Sequence, residues 1–249
     1  MKKLSFWMVL IMLLMVNMLI ATEVRMLTED FPPLNYLQNG KLVGPSVEIV
    51  QAIKNSLGVN NSVEVFPWKR SYKMALDNPN TCVFSTTRTK ARENQFKWVG
   101  PLAEKRYVFY ALKKSHIKIN SIDDAKKYLV GVQLGGASAD FLKDNNFKQL
   151  DFAVKPLVSL KKLIHGRIQL WYTSTTTPIV LGQQNKISTS ELEEVFTVKS
   201  SQLYIAFNNK TSDSVIKEWE NAFNKLYKQG KIKSIFGKYH LESLYPKIK

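Results

Sequence analysis

The run Ser85-Thr86-Thr87-Arg88-Thr89-Lys90-Ala91-Arg92 gathers hydroxyls and guanidinium groups directly after Cys82-Val83-Phe84, a short apolar segment that reads as a buried strand. Such a strand end can present hydrogen-bond donors to an anion. An arginine offers a carboxylate two parallel N–H bonds, each about twice as strong as a neutral hydrogen bond. Arg92 would equally serve to cap or solvate a surface helix. A second donor set follows Leu129-Val130-Gly131-Val132: Gly135-Gly136-Ala137-Ser138 leads into a helix from Ala139, the strand, turn and helix order that aims free amides at an anion. The hydroxyl-rich run Thr173 to Thr177 ends a third strand.

Other chemistry finds few residues. The histidines, His116, His165 and His240, lie far apart, and no spacing of His, Cys and acids matches a zinc site. The sequence contains neither a nucleophile elbow nor a phosphate-binding lysine loop. The acid pairs Glu29-Asp30, Asp123-Asp124 and Glu193-Glu194 are adjacent in sequence, so the two members of a pair do not share a face of a helix or strand. The side chains on offer are donors and aromatics, with no evident acid, base and nucleophile set. Neither a metal nor a cofactor is expected.

The elements that must position these donors alternate along the chain. Val24 to Leu27 reads as a strand, and Thr28 to Tyr36, with Pro32 and Pro33, as a loop fixing Phe31 and Tyr36. Ser46 is expected to cap a helix ending at Leu57, with Gly58 as its stop. Val63 to Phe66 alternates as a strand closed by Pro67-Trp68, and Lys69 to Leu76 forms a short helix. A strand at Tyr107 to Leu112, a helix at Ile122 to Tyr128 and a helix at Ser159 to Ile164 follow. Arg167 to Tyr172, Val195 to Val198 and Leu203 to Phe207 read as strands, with a helix starting at Pro178. Helices over Ser212 to Gly230 and Ile232 to Tyr239 close the chain. The class is α/β with mostly parallel sheets, and ligands in such sheets sit beyond the carboxyl ends of strands. Those ends carry Ser85, Gly135 and Thr173.

With 45% apolar and 22% charged residues the chain is an ordinary globular protein, long enough for one large domain or two smaller ones. The net charge of +16 raises the question of nucleic acid. The basic residues are nevertheless interspersed with acids throughout, and no nucleic-acid-binding motif accompanies them, so none is expected as a partner. Met1 to Ala21 reads as an export signal, with Lys2 and Lys3 ahead of the apolar run Leu4 to Ile20 and cleavage after Ala21. Leu19 fits the cleavage pattern imperfectly, which leaves retention as an anchor open. Cys82 is the only cysteine, it does not follow the apolar run as a lipid anchor would require, and it reads as a core residue.

Thr28-Glu29-Asp30-Phe31-Pro32-Pro33, Gly44 to Val50, Ser85 to Arg92, Val130-Gly131-Val132, Gly166-Arg167-Ile168 and Lys225 to Tyr239 together resemble the bacterial extracellular solute-binding proteins of family 3. Each motif is soft, but their order spans the mature chain. The resemblance implies a two-lobed periplasmic-binding-protein fold of type II, with two crossing strands as a hinge and the ligand between the lobes. Residues 22–105 and 202–249 would form lobe 1, and residues 106–201 lobe 2. The family's carboxylate-binding arginine falls on Arg92, accompanying donors on Ser85 and Thr87, and ligand-sandwiching aromatics on Phe31 and Trp68. A tryptophan after proline on a short helix serves equally well as core. The second lobe's helix-end donors fall on Gly136, Ala137 and Ser138.

One departure bears on the ligand. Amino-acid-binding members carry an aspartate for the ligand's ammonium where this chain has Ser174, and many have an acid where it has Gln169. The expectation is therefore a periplasmic, monomeric, non-enzymatic binder of a small carboxylate-bearing solute, with Glu29 the remaining partner for any ligand cation. It would serve an inner-membrane ABC transporter permease or a receptor. The resemblance also leaves two rivals: a periplasmic dehydratase of cyclic, prephenate-like acids, and a sensing domain without a transport role.

Overall fold

The computed structural model describes residues 23–248, so Met1 to Ala21, expected to be an export signal, lies outside the described residues. The chain opens with β1 (Arg25–Thr28), the hairpin β2 (Tyr36–Gln38) and β3 (Lys41–Val43), and α1 (Pro45–Leu57). Next come β4 (Val63–Val65), α2 (Trp68–Asp77) and β5 (Thr81–Thr87). A 3₁₀ turn at Lys90–Gln95 leads into the long β6 (Phe96–Leu112). The second lobe adds β7 (Val130–Gln133), α3 (Ala137–Asp144), β8 (Leu150–Ala153), α4 (Pro156–Ile164), β9 (Leu170–Ser174) and α5 (Thr177–Asn185). The equally long β10 (Leu192–Asn208) returns to the first lobe, which α6 (Asp213–Lys228) and α7 (Lys231–Lys238) complete.

The strands hydrogen-bond in the order β4-β1-β5-β10-β6-β9-β7-β8. Pairing is parallel for β1 with β4 and β5, and for β7 with β8 and β9. Where β6 and β10 cross between the lobes it is antiparallel, so the sheet is more mixed than the α/β alternation suggests. A strand covered on both faces needs apolar residues at every position, and its neighbours in sequence must enter different cores. Met26 joins one cluster with Ile53, Val99, Ile205, Trp219 and Phe236, whereas Leu27 joins Trp68, Val83, Phe96 and Ala206 on the opposite face. In the second lobe Tyr107 and Phe109 enter one cluster, and Val108 and Tyr110 the other. The first half of β6 thus belongs to one lobe's core and the second half to the other's. Cys82 is fully buried in the first core, where desolvation raises its thiol pKa.

Several local expectations change. Helix α1 starts at Pro45 with Gly44 at the N-cap, not at Ser46, because Gly44 has φ 122° and a Cβ there would meet the Leu34 carbonyl oxygen. Ile122 to Tyr128 forms only a 3₁₀ turn, Asp123–Lys127, with the Asp124 carboxylate accepting from the Asn120 and Ser121 amides. The strand expected from Arg167 begins at Leu170, since Gly166 (φ 68°) and Arg167 terminate α4 and the Arg167 amide donates to the Lys162 carbonyl. The two strands expected between Val195 and Phe207 are one strand, β10, bent at three register shifts rather than interrupted.

Candidate functional site

A cavity of about 40 Å³ lies between the lobes, bounded by strand ends and helix starts. From the first lobe the loop after β1 delivers Glu29 and Phe31, α2 Trp68, and β5 Ser85 and Thr87. The 3₁₀ turn delivers Arg92, and β6 delivers Lys105 and Tyr107 as it leaves the first lobe. From the second lobe come Gln133 at the end of β7, Gly136, Ala137 and Ser138 at the start of α3, and Ser159 on α4. Trp171, Tyr172 and Thr173 at the end of β9 complete that side with Pro156.

Nine of the ten residues singled out in the sequence line this cavity. Ser174 does not. Successive strand residues point to opposite faces, and Thr173 takes the cavity side. The Ser174 hydroxyl, 1% exposed, instead lies 2.7 Å from Thr177 Oγ1 in the first turn of α5. Trp68 packs in a core cluster and also lines the cavity.

Arg92 is 4% exposed, so it does not solvate a surface helix. Its guanidinium carbon sits 4.7 Å from the Tyr72 ring centre and 5.6 Å from that of Trp68, over ring faces that attract cations. Nη2 donates to Asp140 Oδ2 of α3 at 3.2 Å, across the gap between lobes. Two further bonds cross it: Trp68 Nε1 donates to the Gly135 carbonyl at 2.9 Å, and Gln133 Nε2 to Glu29 Oε2 at 2.5 Å. The lobes are therefore held in contact across the cavity.

Ser85 has φ 60°, unusual for a residue other than glycine. It falls where the β5–β10 register slips by one residue, and such a bulge re-aims a side chain. At the start of α3 the amides of Ala137 and Ser138 have no intrahelical acceptor, which gives the cavity free N–H groups beside a positive helix end.

Lys105 and Glu29 dominate the electrostatics. Lys105 is 1% exposed, and its Nζ has no hydrogen-bond partner and lies 3.5 Å from the Phe31 ring centre. Burial lowers its pKa to about 7, although Glu29 acts in the other direction. Glu29, 6% exposed, is pushed up to about 8 by burial, against the Gln133 bond and the Lys105 charge. Ser85 Oγ, Ser159 Oγ and Tyr172 Oη are likewise buried without partners. Buried polar atoms are nearly always paired, so four orphans around one cavity single it out among the described residues.

Lys105, Tyr107, Gln133, Ser159 and Tyr172 were missed in the sequence. Gln133 ends a strand just before the glycine turn and Tyr107 opens an apolar run, so position alone flags both. Lys105 sits in Glu104-Lys105-Arg106, which has the composition of a solvated boundary. Only the crossing of β6 buries it. The three histidines are exposed, and among the described residues no group of three or more His, Cys, Asp or Glu is placed to hold a metal.

Two α/β lobes joined by two crossing strands around a donor-rich cavity define a periplasmic-binding-protein fold of type II. The sequence profile of the bacterial extracellular solute-binding proteins, family 3, matches residues 24–242. The chain belongs to that family. Comparison with curated proteins returned no match. Among solved structures, a histidine kinase sensor domain with similarity to periplasmic binding proteins aligns at TM-score 0.78 and 17% identity, covering 86% of this chain and 95% of that one. An ancestral arginine-binding protein bound to glutamine aligns at 0.76 and 24%, covering 88% and 98%. The GluR0 ligand-binding core from Nostoc punctiforme in complex with glutamate aligns at 0.75 and 17%, covering 88% and 99%. At these identities the likeness concerns the fold.

Proposed function

We propose that this chain is a periplasmic solute-binding protein that closes on a small, carboxylate-bearing, amino-acid-like solute. Arg92, Ser85, Thr87 and the α3 amides would bind the carboxylate, with Phe31 and Trp68 flanking it. The observation that carries this reading is the set of buried polar atoms without partners around the interlobe cavity, beside Arg92 and a helix N-terminus. Family membership supports capture of a solute, and the glutamine and glutamate complexes among the neighbours support an amino-acid-like one. The division of the cores supports lobe boundaries close to Lys105 and Ser201. Delivery to an ABC transporter permease and presentation to a receptor both fit, since a sensor domain shares the fold. Export with removal of Met1 to Ala21 completes the reading; amino-terminal sequencing of periplasmic protein should start near Thr22.

A thermal-shift screen over amino acids, monocarboxylates, dicarboxylates and cyclic acids tests it. A ligand at about 100 times its Kd stabilises by about 2.7 kcal/mol. No shift with any carboxylate would overturn the reading.

One observation favours catalysis as a second reading. The Glu29 carboxyl faces the cavity with its pKa raised to about 8, as a general acid for a cyclic acid's dehydration would need. Incubation with prephenate and measurement of aromatic product decides it.

A further inference from the structure

We propose that the cavity holds a small solute with two anionic groups, one at Arg92 and the other at the Lys105 ammonium. This deepens the carboxylate reading and rests on it. Among the described residues, Arg92 and Lys105 are the cationic side chains that line the cavity and Glu29 is the acidic one. Glu29 Oε2 accepts from the Gln133 amide, and neither Glu29 oxygen is within hydrogen-bond distance of Lys105 Nζ. Asp140, which holds one N–H of Arg92, does not line the cavity and has a half-exposed side chain. The Lys105 ammonium is therefore left facing a ring and no acceptor. A buried ammonium without a partner is costly, and the attraction of one aromatic face does not replace its lost hydration. A ligand oxygen would supply the acceptor.

The surroundings fit an anion at that point. Ser85 Oγ, Ser159 Oγ and Tyr172 Oη line the same space without partners, so three hydroxyl donors stand around the ammonium's cavity. At the position where amino-acid-binding relatives hold the ammonium, Ser174 is turned away and bonded to Thr177. The lining therefore carries more positive than negative charge, and an anion of charge two matches it better than a zwitterion.

The test compares ligands in pairs by calorimetry on the unmodified protein: succinate with butyrate, and glutarate with L-glutamine. Tighter binding of the dianion is expected in at least one pair. Lys105→Met, which keeps the stem's length, should then weaken that dianion on the order of thirtyfold or more and leave the monoanion little changed. Equal binding within both pairs, or a dianion preference that survives Lys105→Met, would overturn the two-anion proposal and leave the carboxylate reading standing. If no carboxylate binds at all, both fail. Should Lys105→Met not fold, the pairwise preference of the unmodified protein decides.

Discussion

Arg88, just after β5, and Arg92, in the 3₁₀ turn that follows, point in different directions. Arg88 is exposed and forks onto the Glu93 carboxylate, while Arg92 is buried over Tyr72 and Trp68 at the cavity. A sequence in which both arginines follow a hydroxyl run does not separate them; the 3₁₀ geometry of Lys90–Gln95 does. If Arg92 holds a ligand carboxylate as proposed, removing it would leave that carboxylate desolvated and unpaired. Arg92→Ala should weaken carboxylate binding by roughly 2–5 kcal/mol, read by calorimetry. Its ion-pair partner Asp140 is half-exposed and would be rehydrated, so the fold should persist. Glu29 carries a pH signature. Its folded pKa, about 8, exceeds the ordinary 4.5, so the folded state binds the extra proton between these values. The stability this contributes is complete below about 4.5 and is lost as the pH rises through about 8. Lys105, lowered from 10.5 to about 7, acts oppositely, adding stability as the pH rises between those two values. The ligand-free melting temperature should therefore fall from about pH 5 to about pH 7, and Glu29→Gln should remove that fall. An unchanged slope in the variant would mean that Glu29 is solvated.

At the scale of elements, three of the links between the lobes join an element of the first lobe to the segment from the end of β7 into α3. Trp68 on α2 meets Gly135, Arg92 in the 3₁₀ turn meets Asp140, and Glu29 after β1 meets Gln133. Each link is worth about 1 kcal/mol net, somewhat more where a charge takes part. Trp68→Phe combined with Asp140→Asn should therefore open the ligand-free cleft, seen as a larger radius of gyration in X-ray scattering. It should leave the packing of each lobe intact. No change in radius would show that these contacts do not hold the lobes together. These elements also mark what the sequence could convey. Alternating strands and helices, the glycine turn before α3 and the hydroxyl end of β5 follow from local patterns that tertiary packing reinforces. The continuity of β10 did not, because Lys199, Ser200, Ser201 and Gln202 read as a polar break. In the structure that segment pairs with β6 in the crossing. Lys105 was illegible for the same reason: its burial comes from the partner strand and the facing lobe, and no local period encodes either.

For the whole molecule, the crossing strands decide how far the lobes can act alone. The first lobe is built from both ends of the chain, since Trp219, Phe223, Ile232 and Phe236 complete the core begun by Met26 and Ile49. The second lobe is inserted through β6 and β10, whose pairing runs from Leu192 with Leu112 to Asn208 with Phe96. Such a hinge lets two rigid bodies rotate without breaking either core. A ligand seated in the cavity would touch strand ends and helix starts of both bodies, so its binding energy would stabilise both. Hydrogen exchange should therefore slow together in β1 and β5 of the first lobe and β7 and β9 of the second when a carboxylate ligand is added. The termini of α6 and α7, remote from the cavity lining, should respond less. Local opening draws on the stability of each cooperative unit, and only a ligand shared by two units protects both. Slowing confined to one lobe would place the ligand on a single lobe's surface and contradict an interlobe site.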